Sequence, residues 1–217
     1  LDVDWVVHHL AAATPAAWAR AWGQRARHYE TKARGLEELG ASGGARALYG
    51  KASLYYQAGS YALSEASPLQ MSLASSSVRT YHDFGRLCDP PIRWLEVPYG
   101  DGVVHAYLRF PRAAARHGQS SMEAASDADR APHNGHVGTG QRVPAARWPV
   151  VVVVPGLGST KEQPDYRVEL LLDRGLAVCA MDFPGHGQSR ARLRLEVDSY
   201  RAVLALVRAI AEREDVD

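Results

Sequence analysis

The chain of 217 residues has little cysteine, little net charge and no long apolar run. Its two cysteines, Cys88 and Cys179, cannot build a disulfide framework, and we expect both to be reduced thiols in a cytoplasmic protein. A formal net charge of +1 gives no reason to expect nucleic acid as a partner. Because no apolar run approaches the length of a membrane span, we expect no membrane partner either.

Two catalytic signatures are also missing. No G-x-S-x-G follows a predicted strand, the position in which that turn carries the serine of many hydrolases, and the match at residues 40–44 falls between two predicted helices. The sequence contains no G-x-x-x-x-G-K-[ST] phosphate loop. The histidines lack the spacing of metal ligands, so we expect no metal and no bound cofactor. The chain starts with Leu1 and ends straight after a predicted helix. We therefore expect both ends to be cuts within a longer protein.

The most informative stretch is a run of valines followed by glycines. Val150–Val154 is apolar without polar alternation, a pattern typical of a strand buried on both faces in a parallel sheet. The turn Pro155-Gly156-Leu157-Gly158 comes next. Ser159 and Glu162 have capping-box spacing, which predicts a helix from about Glu162 to Arg174. A strand, a glycine turn and a helix start together present backbone N–H groups to a negative group.

The residues ahead of this stretch predict helices and then a hairpin. Apolar side chains at three- and four-residue steps predict helices over about 14–40, 45–63 and 69–84. Two strands, 92–98 and 103–110, follow, and Asp101-Gly102 is predicted to supply the positive φ of the turn between them. We predict two parts on this basis, a helical cap-like segment over 1–88 and an α/β core over 89–217.

The α/β core contains a compositional break and a second strand. Residues 112–147 are poor in large apolar side chains and predict a flexible surface insertion. Leu176–Met181 predicts a strand that ends in Asp182, and a helix is predicted over about 197–213. The alternation of strand and helix is typical of a parallel α/β sheet.

Two interpretations compete with a hydrolase. In a Rossmann-type nucleotide-binding domain, Gly156 and Gly158 would belong to the fingerprint and Asp182 would bind a ribose. Lys161 stands at the third glycine position of that fingerprint, which argues against it. A non-catalytic helical binding module in residues 1–87 is the other alternative, although no repeat period is visible.

The motifs P-G-L-G-S-T-K-E at 155–162 and D-F-P-G-H-G-Q-S at 182–189 resemble those of a known family. They are similar to the α/β-hydrolases related to 2,6-dihydroxypseudooxynicotine hydrolase and the fermentation–respiration switch protein, whose members carry a helical segment ahead of the hydrolase core. The resemblance implies a serine hydrolase that cleaves a C–C or ester bond of a small carbonyl compound through a Ser-His-Asp triad. In that fold the nucleophile elbow comes after the helix that ends near Arg213. The resemblance thus implies the first half of a hydrolase sheet, truncated before the elbow, with the triad beyond Asp217.

The same resemblance gives the residues expected at the site. Gly156 and Leu157 are implied to form part of an oxyanion hole, through the backbone N–H of Leu157. We interpret Asp182 as an acceptor that fixes its loop, and His186 as a turn residue rather than the triad histidine. We interpret Lys161 and Glu162 as helix-start residues. The sequence leaves open whether the protein forms a homodimer.

Overall fold

The computed structural model describes residues 2–10, 13–63, 67–112, 147–156, 158–163 and 166–217. Residues 113–146, which make up most of the predicted flexible insertion, lie outside these ranges. The helices are α1 (Asp2–His8), α2 (Pro15–Glu38), α3 (Ser42–Tyr61), α4 (Pro68–Arg86), α5 (Tyr166–Leu172) and α6 (Tyr200–Ala211). The strands are β1 (Arg93–Tyr99), β2 (Gly102–Arg109), β3 (Val150–Val153) and β4 (Ala177–Met181).

The helical part matches the three predicted helices closely. Helix α2 begins at Pro15 behind Thr14, whose hydroxyl accepts a hydrogen bond from the backbone N–H of Ala17 at 3.2 Å. Ser67 caps α4 in the same way, with Pro68 at the first position. The short helix α1 is an addition that the sequence pattern did not predict, because seven residues are too few to show a helical period.

A buried carboxylate ties the long helices together. Glu30 on α2 is 5% exposed and accepts hydrogen bonds from Tyr56 of α3 at 2.7 Å and from Arg79 of α4 at 2.6 Å. Burial raises the pKa of Glu30, but the hydrogen bonds and charge of Arg79, with the hydrogen bond of Tyr56, lower it by more. The pKa of this carboxyl therefore lies below its ordinary value of 4.5.

We expect the Glu30 contacts to make stability depend on acid. A carboxyl whose folded pKa is depressed stabilises the fold above its unfolded pKa, and this contribution is lost as pH falls through the folded value. Glu30→Gln should therefore lower the free energy of unfolding near pH 7, with a difference from wild type that shrinks below about pH 4. Urea unfolding at both pH values measures it, with Glu38→Gln, exposed on the same helix, as the control. A difference that does not change with pH would contradict the assignment.

The sheet is mixed, with the strand order β1-β2-β4-β3. Strands β1 and β2 form the predicted antiparallel hairpin, with Val97 opposite Val104. Strand β2 runs antiparallel to β4, and β4 runs parallel to β3, with Val152 opposite Cys179. In the hairpin turn the glycine with positive φ is Gly100, at +54°, whereas Gly102 already begins β2. The prediction that Asp101-Gly102 supplies this φ is wrong for Gly102.

Helices cover both faces of the sheet. On one face α6 contributes Ala202, Leu206 and Ile210 to the main apolar core. On the other face α4 packs against β2, where the Tyr81 hydroxyl donates to the Tyr107 hydroxyl at 3.2 Å. Helix α5 also packs against β4. Because α4 and the sheet share a buried cluster, residues on the two sides of the predicted boundary between 88 and 89 are in contact. The division into two parts stays a prediction.

Burial distinguishes the two parallel strands. All five residues of β4 are buried, whereas the four valines of β3 are half-buried and Val154 is 44% exposed. The prediction that Val150–Val154 forms a strand buried on both faces is therefore wrong for β3 in this chain, and β4 is the fully buried strand. The physical reason is that β3 is the last strand of the sheet in the described residues.

The free edge of β3 carries one contact with a later part of the chain. Trp148, just ahead of β3, forms an isolated parallel bridge with Val216. The Trp148 N–H donates to the Asp215 carbonyl at 3.1 Å, and the Asp217 N–H donates to the Trp148 carbonyl at 2.9 Å. Residues 215–217 thus pair in parallel with Trp148, two residues ahead of the start of β3.

Two predicted helices are shorter than expected. Helix α5 begins at Tyr166 rather than near Glu162, and residues 161–163 form a turn and bend. Helix α6 spans Tyr200–Ala211 rather than 197–213.

None of the helices in the described ranges could cross a membrane. The same residues hold no group of three or more His, Cys, Asp and Glu side chains suited to a metal ion.

Candidate functional site

The candidate site lies where β3 and β4 end. The carboxyl ends of parallel strands meet at one edge of a sheet, and this edge is where open α/β sheets bind ligands. The glycine turn follows β3, and a second glycine-rich loop, 182–189, follows β4. Gly158, Gly185 and Gly187 all have positive φ, at +75°, +82° and +48°. These backbone conformations explain why both loops are rich in glycine.

Gly158 also permits a close approach by the helical part. A Cβ at Gly158 would overlap the ring and hydroxyl of Tyr61, the last residue of α3. Two residues after Gly158, the Thr160 hydroxyl accepts a hydrogen bond from the side-chain amide nitrogen of Gln57 on the same helix, at 2.8 Å. Helix α3 therefore lies directly on the glycine turn.

A buried ion cluster underlies the two loops. Asp182 is fully buried, and one carboxylate oxygen accepts from the Lys161 backbone N–H at 3.0 Å. Its other oxygen accepts from the Lys161 ammonium at 2.6 Å and from the Gln188 N–H at 2.9 Å. The Lys161 ammonium also donates to Glu162 at 2.5 Å and to the Gln188 side-chain oxygen at 2.7 Å.

The pKa values of two members of this cluster, Lys161 and Glu162, are both raised. Burial lowers the pKa of Lys161, but the Asp182 and Glu162 carboxylates raise it by more, so its net pKa is above the ordinary value. Burial and the Asp182 charge raise the pKa of Glu162. One ammonium thus faces two buried carboxyls, and the pKa of Glu162 lies above its ordinary value of 4.5.

The cluster decides between several interpretations made from the sequence. Asp182 accepts hydrogen bonds that fix its loop, as predicted. The interpretation of Lys161 and Glu162 as helix-start residues is wrong, because both side chains are buried beneath the loops and α5 begins later. Since both oxygens of Asp182 are already engaged, the carboxylate is not available to a ribose hydroxyl as a nucleotide-binding domain requires.

Two adjoining cavities open beside the glycine turn. The first, of about 240 Å³, reaches from Gly156 down to Tyr107 of the sheet. The second, of about 390 Å³, lies between Gly158 and helix α3. The residues that line both are Leu54, Ser159 and Gln163. Trp18 and Tyr61 add aromatic surface to the second cavity, so the space combines apolar walls with a few polar groups, as small-molecule sites do.

The predicted oxyanion-hole residues fall partly within the described chain. Gly156 is exposed at the first cavity, and a Cβ built on it would meet no heavy atom within 4 Å. Leu157, whose N–H is the predicted donor, lies outside the described residues. The His186 ring nitrogen lies 3.2 Å from the Pro184 carbonyl oxygen, which fits a turn residue. The donor role of Leu157 stays a prediction.

The contribution of α3 to the cavities was missed from the sequence. Leu54, Gln57 and Tyr61 lie on one side of a helix whose period indicates only that it is amphipathic. A second cross-link, from the Arg190 side chain to the Gln70 side-chain oxygen at 2.9 Å, was missed for the same reason. Nothing in the local pattern of a helix shows which loop will contact it.

Comparison with known proteins gives one line of support for the fold. No family model matches the chain, and no curated protein matches it. Among solved structures, a 2,6-dihydroxy-pseudo-oxynicotine hydrolase matches with a TM-score of 0.72 at 22% sequence identity. The match covers 100% of this chain and 51% of that one, so the chain spans about half the length of the solved hydrolase. At this identity the match shows a shared fold: helices and a small mixed sheet that form part of an α/β architecture.

Proposed function

We propose that this chain forms the first part of an α/β-hydrolase that cleaves a C–C or ester bond in a small carbonyl compound. The observation that carries the proposal is the glycine turn after β3, which opens onto the cavities beneath α3. Gly156 lies at the cavity wall without a side chain between its backbone and the space beyond. A substrate carbonyl could therefore approach the backbone of the turn.

The chemistry that such a turn supports is stabilisation of negative charge. When a serine hydroxyl adds to a carbonyl carbon, a histidine takes the hydroxyl proton and the carbonyl oxygen becomes an oxyanion. Preorganised N–H donors lower the free energy of that state more than that of the substrate. We propose the backbone N–H of Leu157 as one such donor.

The proposed triad would follow Asp217 in a longer protein. Two observations support this placement. The parallel bridge between Trp148 and Val216 lies just ahead of β3, so a chain that continued in the same direction would run along the free edge of β3. The solved hydrolase that shares the fold is about twice as long as this chain. The helices of residues 1–88 would then shape the substrate cavity, as a cap does.

The competing interpretations have less support from the described residues. The engaged oxygens of Asp182 argue against a nucleotide-binding domain. The shared core of α4 and the sheet, formed around Tyr81 and Tyr107, argues against an independent helical module. A cytoplasmic location stays part of the proposal, for which the free buried thiols Cys88 and Cys179 are suggestive.

We expect the 217-residue chain by itself to hydrolyse no ester and to react with no fluorophosphonate. Without a nucleophile elbow no serine is activated, and loss of triad members leaves only residual catalysis. Intact-mass spectrometry after incubation with a fluorophosphonate measures the reaction directly. Stoichiometric labelling of any serine in the chain would contradict the placement of the nucleophile, because a complete site would then lie within these residues.

A further inference from the structure

The ion cluster connects segments that are far apart in the sequence. Lys161 lies three residues after Gly158, which ends the glycine turn, and Asp182, 21 residues later, begins the loop after β4. The Asp182 carboxylate binds the backbone N–H of Lys161 with one oxygen and that of Gln188 with the other. It therefore holds the backbones of both loops at one point.

We propose that Lys161 and Asp182 are positioning residues, which together form a clamp that sets the glycine turn against the loop after β4. Lys161 is 3% exposed and Asp182 is 0% exposed, so the attraction between them is not weakened by water. The ammonium also binds the Gln188 side chain, so the clamp holds the second loop at two atoms of the same residue.

Gly187 shows that the second loop is fitted to the clamp. Its φ is +48°, and a Cβ at this position would overlap the Asp182 carboxylate. The loop thus passes over the carboxylate closely enough to exclude any side chain. A methyl group there must push the carboxylate away from the N–H groups and the ammonium that it binds.

The clamp is a feature of the geometry, and its importance for catalysis rests on the proposed function. An oxyanion-hole donor works only when it is held within about half an ångström of its productive position. Strand β3 ends at Val153, so the turn leaves a half-buried strand at the edge of the described sheet. The clamp attaches the segment just after this turn to the end of the fully buried strand β4.

Amide hydrogen exchange of the 217-residue chain tests the clamp without any activity. Gly187→Ala should speed exchange in residues 158–163 about tenfold or more relative to the β4 amides, because local opening becomes easier. Gly100→Ala is the matched control. Gly100 has a similar φ of +54°, but its added Cβ would meet nothing within 4 Å. It should change the same ratio by less than about twofold.

A second pair of variants separates the clamp from the general charge of the cluster. Lys161→Met removes the ammonium and should raise the exchange ratio as Gly187→Ala does. Glu162→Gln keeps an acceptor for that ammonium and should leave the ratio unchanged. If Lys161→Met fails to fold because two carboxyls stay buried, the glycine pair decides the matter.

The outcomes distinguish the clamp from the proposed hydrolase. An exchange ratio that is unchanged in Gly187→Ala, or raised equally in Gly100→Ala or Glu162→Gln, overturns the clamp. Absence of a reactive serine in a longer protein would instead overturn the hydrolase and leave the exchange results as they are. Neither result can be mistaken for the other.

Discussion

Replacing Gly156 with valine is expected to lower kcat of the proposed longer hydrolase about 100-fold or more, the effect of losing one oxyanion-hole donor. An added Cβ meets no heavy atom within 4 Å, so the substitution fits the fold. The valine methyl groups would instead enter the cavity beside the turn. If the turn has the proposed role, they would keep a substrate carbonyl out of the oxyanion hole.

Steady-state kinetics with an activated ester measures this effect in the longer protein. The account predicts that kcat and kcat/KM fall together, because the lost interaction exists only in the transition state. Gly156→Ala adds a single methyl group and should give a smaller loss, and the melting temperatures of both variants should match wild type. An unchanged kcat with a raised KM would mean that the turn only binds substrate.

The purified 217-residue chain is expected to self-associate through β3. The strand is the edge of the described sheet, its four residues are all valine, and it carries no charge, proline or bulge to protect the edge. The uncharged β-branched run also has the composition of aggregating segments. Helix α6 also exposes three apolar side chains to water, those of Tyr200, Leu204 and Val207.

Sedimentation velocity of lysine variants tests this expectation. The sequence alone suggests Val152 for a protective lysine, but Val152 packs against the core under α6. Val151 points to the opposite face and is half-buried, so Val151→Lys should shift the chain towards monomer. Val152→Lys should lower the free energy of unfolding by about 1–3 kcal/mol, since it places a charge against that core. A wild-type chain that is a stable monomer with a cooperative melt would contradict the open edge.

The features that were predictable from the sequence depend on neighbouring residues. Thr14-Pro15 predicts the start of α2 because a cap and its helix are adjacent in the chain. The helical period and the two apolar strands likewise follow from local patterns. The glycine turn after β3 was predictable in position because strand and turn are contiguous, and its placement at a cavity follows from the parallel pairing of β3 with β4.

The features that were not predictable depend on distant residues. Ser159 and Glu162 have the spacing of a capping box. In the structure, however, Glu162 is buried and its carboxylate pairs with the Lys161 ammonium of the ion cluster. Nothing near Lys161 in the sequence indicates that its partner is 21 residues away. The half-burial of β3 has the same origin, because five valines indicate a buried strand and cannot show which neighbours are present. Tertiary contacts overrode the local pattern at each of these places.

The most direct test of the central claim is to locate the serine that a fluorophosphonate labels in the longer protein. The account predicts one labelled serine after Asp217, within a G-x-S-x-G sequence, on a strand that pairs with the free edge of β3. Peptide mapping by mass spectrometry identifies that residue. A labelled serine within residues 1–217, or a longer protein with no reactive serine at all, would contradict the claim that this chain is the first part of a serine hydrolase.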